Sequence, residues 1–354
     1  MASPTLWWWT DPNVLKGSPT FMTCLVGRNS GSMEYPSPPR GLIIDLITPL
    51  NERGDLDIEA LERHLERIMD HVHGVLLASP WTGEGSRLRL KVRKELLERA
   101  MATISSDMAL FVWITDQDEE KTRRNLFALQ EISESRPFAG TIYWVDTPLL
   151  YHSNRGLPQL YKELHLLASR PFILVNDPDQ VAQVRSSIKR KNIRTSVLKE
   201  LVKMDFIRGL IFLGTLERAY NYQKAIRAQT DFRIYDGEEA RFLEYPSLSG
   251  VISVGANLAP EQWRAVTNSS LKLEGPGEPY PDSLKQVWEI GQFLHQLREL
   301  YQQESPSTIA QVLVEMGDLK ATPPMEDDKA TSIVAKIREL MSEYKFSRGN
   351  RKSG

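Results

Sequence analysis

The chain has 354 residues, 41% of them apolar, enough for one large domain with a sizeable core and a smaller appendage. Its net charge of −2 and pI of about 6.4 give no general attraction to nucleic acid or an anionic membrane. One cysteine, Cys24, excludes an intrachain disulfide framework and a multi-cysteine metal site, and no apolar run approaches the roughly 20 residues of a spanning helix. A cytoplasmic protein without nucleic-acid or membrane partners is expected.

Residues 1–39 are rich in Pro, Gly, Ser and Thr and hold no sustained period. They read as an irregular or disordered segment, or as an arm whose Trp7, Trp8 and Trp9 dock on a partner subunit. Order is expected from Gly41. GLIIDLIT reads as a strand, PLNERGD as a turn, and LDIEALERHLERIMDHV as a helix with Asp57 as its amino cap. HGVLLASP, ALFVWIT, GTIYWVDT and FILVND follow as apolar runs, the first three each followed by a helical pattern. After FILVND comes a basic segment, QVRSSIKRKNIRT, read as an irregular solvated loop, and then the helix SVLKELVKM. FIRGLIFLG, FRIYDG and GVISVGAN complete eight runs, each again followed by a helix. Short apolar runs between polar helices are the signature of buried parallel strands.

Eight β–α alternations in succession predict an α/β fold, a (β/α)8 TIM barrel over residues 40–270. GPGEPYP marks a boundary, and 271–354 is expected to be a C-terminal helical domain with a frayed tail. In such a barrel the binding residues come from the carboxyl ends of the strands. That rule selects Thr48, Ser79 to Glu84, Thr115, Asp116, Asp146, Thr147, Asn176, Asp177, Asp236, Glu238 and Asn257. The turn WTGEGS offers backbone N–H groups suited to a carboxylate or phosphate. The strand-end carboxylates raise the possibility of a divalent metal, but no histidine accompanies them, so neither metal nor cofactor is expected. No GxSxG elbow is present.

These residues resemble the dihydrodipicolinate synthase and N-acetylneuraminate lyase family. The resemblance rests on GLIIDLITPLNERGD, TGE after strand two, DTP after strand four, LVNDP, YDGEEA, GVISVGAN and LVEMGDLKATPPM, in that order over roughly 40–345. It implies a pyruvate-handling aldolase whose strand-six lysine forms a Schiff base, whose strand-four tyrosine shuttles protons, and whose strand-two turn holds the carboxylate. Position by position, the lysine's place is taken by Ile211, in Gly209-Leu210-Ile211-Phe212, and none of the eight strands contains a lysine. The tyrosine's place reads Leu149 or Leu150, with Tyr151 directly after as the candidate catalytic substitute. Trp81 replaces the first hydroxyl of the turn and Gln180 the substrate-binding arginine. Thr82, Gly83, Glu84, Asn176, Gly237 and Ile252 are kept as candidate substrate-binding residues.

The expected protein is therefore a family member without Schiff-base chemistry, retaining a pocket for a small keto acid or related carboxylate, or serving as a scaffold or partner subunit. The alternative is a lyase working by an altered acid–base mechanism through Tyr151 or the strand-end carboxylates. The resemblance also implies a homo-oligomer, a dimer or tetramer.

Overall fold

A computed structural model describes residues 35–104, 108–185, 190–246, 248–273, 282–302, 304–320 and 328–349. Trp7–Trp9, Cys24 and part of the basic loop, 186–189, lie outside the described residues. In chain order the elements are β1 (Gly41–Asp45), α1 (Ile58–Ile68), β2 (Gly74–Leu77), α2 (Leu90–Thr103), β3 (Ala109–Trp113), α3 (Glu119–Ser135), β4 (Ile142–Asp146) and α4 (Leu157–Leu167). They continue with β5 (Phe172–Asn176), α5 (Pro178–Val184), α6 (Thr195–Leu201), β6 (Ile207–Phe212), α7 (Leu216–Ile226), β7 (Arg233–Asp236), α8 (Glu239–Glu244), β8 (Gly250–Ser253) and α9 (Pro260–Leu271). Three further helices follow, α10 (Asp282–Tyr301), α11 (Pro306–Glu315) and α12 (Asp328–Gly349).

The eight strands are parallel and hydrogen-bond in sequence order into a closed TIM barrel, β8 returning to β1 with Ile43 level with Ile252. Every residue of β1 to β5 is buried, because the helices cover the outer face and side chains fill the interior. Closure at β1–β8 is tight: a Cβ on Gly250 would overlap the Gly41 carbonyl oxygen. Gly250→Ala is accordingly expected to cost about 1–3 kcal/mol in a denaturant titration, as overpacking does.

The interior is aromatic at its amino-terminal end. Phe111 stacks on Tyr143 at 5.2 Å and meets Tyr235 edge-on at 5.7 Å. Both buried phenols need an acceptor, and residues 35–39 supply it: Tyr143 donates to the Pro36 carbonyl at 3.2 Å and Tyr235 to that of Pro39 at 2.5 Å. The irregular segment before β1 thus closes the floor of the barrel.

One element departs from the expected order. The segment after β5 opens with a short helix, α5, because Asp177 caps it, accepting from the N–H groups of Asp179 (3.1 Å) and Gln180 (2.9 Å), and Pro178 presets its first turn. α12 continues to Gly349, and the last residues of the tail, 350–354, lie outside the described residues. The helices after the barrel belong to the same compact unit as the strands, with α10 packed along α9 and α8.

Candidate functional site

The loop after β2 is organised by Ser79. Its hydroxyl oxygen accepts from the N–H groups of Trp81 (3.2 Å), Thr82 (3.1 Å) and Gly83 (3.2 Å). The three amides are therefore turned back on the serine and are not presented to a ligand, which corrects the expectation drawn from the WTGEGS turn. Gly83 is demanded by that curl, since a Cβ there would overlap the Ser79 nitrogen and lie 2.8 Å from the Ala78 Cα. Thr82 donates to the Asp45 carbonyl at 3.1 Å, and Thr48 to that of Gly83 at 3.3 Å. Trp81 leaves the loop and crosses the mouth of the barrel. Its indole N–H donates to Asp177 at the end of β5 (3.0 Å), and its ring lies 6.3 Å from that of Trp113.

At the carboxyl end of β4 a closed polar network surrounds Asp146. Thr115 donates to Oδ1 at 2.7 Å, while Tyr151 and Tyr161 both donate to Oδ2, each at 2.7 Å. Burial pushes the Asp146 carboxyl up and the three hydroxyls pull it back. Burial, and then the neighbouring Asp146, hold the Tyr151 phenol well above its ordinary range. The hydroxyl of Tyr151 thus turns inward, but onto a carboxylate.

On β6, Ile211 sits level with Val175 and with the inward-facing Tyr235, and it is wholly buried. Phe212 faces outward, edge-on to Tyr222 of α7 at 5.5 Å. Asn176 is spent on structure: its Nδ2 donates to Asn192 and to the Leu213 carbonyl, and its Oδ1 accepts from Ile193 N–H and the Tyr222 hydroxyl. Arg241 of α8 pins the ends of β6 and β7 together. It forks onto Asp236, Nε to Oδ2 at 2.9 Å and Nη2 to Oδ1 at 2.5 Å, and donates to the carbonyls of Phe212 and Gly214.

The β7–β8 side of the mouth is open. A cavity of about 330 Å³ lies between the ends of these strands, Trp81 and Thr82, and helices α10 and α11. That is at the lower end of the range for small-molecule sites, roughly 300–1,000 Å³. Gly237, Ile252 and Val254 form its floor, and Glu239, Arg298 and Tyr301 are its chemically distinctive groups. Glu239 is buried and accepts from Ser253 (2.6 Å), Gly255 N–H (2.8 Å) and the Tyr301 hydroxyl (2.6 Å). Burial pushes its carboxyl up, and these donors together with Arg298 draw it back.

Beside this wall stands Asp45, the last residue of β1. It is fully buried, and neither carboxyl oxygen has a hydrogen-bonding partner. The Ser79 and Thr82 hydroxyls lie close enough to favour its charged form without reaching hydrogen-bond geometry. Burial dominates, and with Glu239 nearby the carboxyl is raised from 3.8 to about 7. Among the described residues no three His, Cys, Asp or Glu side chains gather as a metal ion would require. No helix among them is long and apolar enough to cross a membrane.

The model of the dihydrodipicolinate synthetase family matches residues 38–337, most of the chain. The chain belongs to this family. It is 26% identical over 234 residues to an uncharacterized DapA-like lyase of Thermococcus onnurineus, covering 63% of this chain and 72% of that one. It is 24% identical over 286 residues to the 4-hydroxy-tetrahydrodipicolinate synthase of Dichelobacter nodosus, covering 79% and 89%. A monomeric dihydrodipicolinate synthase variant shares its fold with a TM-score of 0.72 at 19% identity, over 86% of this chain and 98% of the other.

Within this dihydrodipicolinate synthetase frame, Thr82, Gly237 and Ile252 of the expected binding set come together on the cavity. Gly83 and Asn176 do not: one shapes the loop and the other ties β5 to the segments around it. Glu84, in the left-handed region with φ of 65°, borders a second, smaller space of about 100 Å³ shared with Thr48, Thr82 and Pro306. Tyr151 and Ile211 are not among the residues that line the cavity between β7, β8, α10 and α11. Asp45, Arg298 and Tyr301 went unselected by sequence reasoning. For Asp45 a signal existed, a lone charge inside an otherwise apolar strand run. For Arg298 and Tyr301 none did, because only the packing of α10 brings them to the mouth.

Proposed function

We propose that this member of the family forms no Schiff base and acts by holding a small carboxylic acid in the cavity between β7, β8, α10 and α11. The observation that carries the reading is that no strand of the barrel contains a lysine, with Ile211, to which the resemblance assigns the reactive lysine's place, wholly buried on the interior face of β6. An aliphatic side chain has no lone pair with which to make an imine. Arg298 gives the cavity a cation for a carboxylate, and Trp81, held by Asp177, is part of its wall. Calorimetric titration with small mono- and dicarboxylic acids is expected to give saturable binding with the acid recovered unchanged. Absence of binding by every acid would remove the ligand-holding role.

A second reading, an acid–base lyase, draws support from Asp45, whose carboxyl titrates near neutrality beside the cavity. Turnover of any bound acid that is lost in Asp45→Asn would establish it. We further propose that the protein works in the cytoplasm and self-associates as a dimer or tetramer; a single monomeric boundary in sedimentation velocity would refute the assembly.

A further inference from the structure

The polar groups of the cavity are not those of a site for a simple anion. Glu239 brings a carboxyl to the wall, Glu238 and Glu304 border it, and Arg298 stands among them. Glu239 uses both oxygens, Oε1 for Ser253 and Gly255 and Oε2 for Tyr301. A carboxylate offers about four acceptor positions, so one remains on Oε2. Asp45 is a second carboxyl just behind this wall. It shares the interior face of β1 with Ile43, whose register partner Ile252 lines the cavity, and Thr82, also in the lining, donates to its carbonyl. A buried carboxyl with neither oxygen partnered is costly, and such a group calls for a reason.

We propose that the cavity takes a small α-amino acid, its carboxylate on Arg298 and its ammonium on the remaining acceptor of Glu239, with Asp45 behind Thr82 as the balancing negative charge. This rests on the ligand-holding reading above and narrows it, since a keto acid offers nothing to the two carboxyl groups. An ammonium, by contrast, satisfies Glu239 by a charge-assisted hydrogen bond and lowers the cost of ionising Asp45. The groups facing Asp45 are the Ser79 and Thr82 hydroxyls from the β2 loop and Glu239 from α8, with Arg298 of α10 acting on Glu239.

The test is thermal-shift and calorimetric titration of the full chain at about pH 8, where Asp45 is ionised, with matched pairs: pyruvate and alanine, oxaloacetate and aspartate, 2-oxoglutarate and glutamate. At least one amino acid is expected to bind about tenfold or more tightly than its keto partner. Asp45→Asn is expected to abolish that preference, and Arg298→Gln to weaken both members of the pair. Binding of keto acids without preference for the amine would overturn this inference and leave the ligand-holding reading intact. Binding of neither class would overturn both. Stabilisation by magnesium or calcium ions, lost in Asp45→Asn, would assign the carboxyl groups to a metal and refute the amino acid.

Discussion

Asp236→Ala is expected to cost about 3–5 kcal/mol, the penalty for stranding one partner of a buried ion pair. Asp236 and Arg241 are both buried, and the guanidinium lies 4.9 Å above the Phe212 ring as well as forking onto the carboxylate. Without Asp236 the arginine keeps the Phe212 and Gly214 carbonyls, which carry no net charge, and a longer contact of 3.5 Å to the half-exposed Glu238 carboxylate. The same contacts hold the ends of β6 and β7 in register, so the loss should appear in global unfolding. In urea titrations the midpoint should fall with little change in slope. A loss below about 1 kcal/mol would show that water reaches the pair and that it behaves as a surface bridge.

Asp45→Asn is expected to act in the opposite direction, and only above acid pH. The unfolded carboxyl ionises near 3.8, whereas the folded one holds its proton to about 7. Between these values the folded state binds more protons than the unfolded state, so the wild-type protein loses stability as pH rises across that window. At about 1.4 kcal/mol per pH unit, the rise from 3.8 to about 7 amounts to about 4 kcal/mol at most. Asparagine escapes this penalty while remaining a buried polar group of the same shape, which itself costs about 1–3 kcal/mol when unpartnered. The variant should therefore match or fall below wild type near pH 4 and exceed it near pH 8, the gap opening between them. A gap independent of pH would mean that Asp45 is already ionised in the folded protein at low pH.

The barrel was legible because its logic is local. GLIIDLIT, FILVND and the other apolar runs can only be buried on both faces, and the polar helices between them can only cover the outside. Closure by β8 onto β1 follows from the number of units. α5 was less legible because it is only seven residues long and runs directly into the basic segment from Arg185, which reads as loop. The site was legible only in part, for a physical reason. Thr82, Gly237 and Ile252 sit at strand ends, where the fold dictates that a site must be. The other wall comes from α10 and α11, whose docking angle no local pattern encodes, so Arg298 and Tyr301 could not be placed. The Ser79 hydroxyl shows the opposite problem: the turn reads as an anion cradle until one sees which oxygen collects its amides.

The absence of the strand-six lysine is legible at both levels, and the account stands on it. The measurement that bears on it most directly is mass spectrometry of the protein after incubation with pyruvate and borohydride, alongside an active relative from the same family. The account predicts an unmodified mass where the relative gains a reduced pyruvyl adduct. An adduct on any single lysine of this chain would contradict it and return the protein to the Schiff-base aldolases.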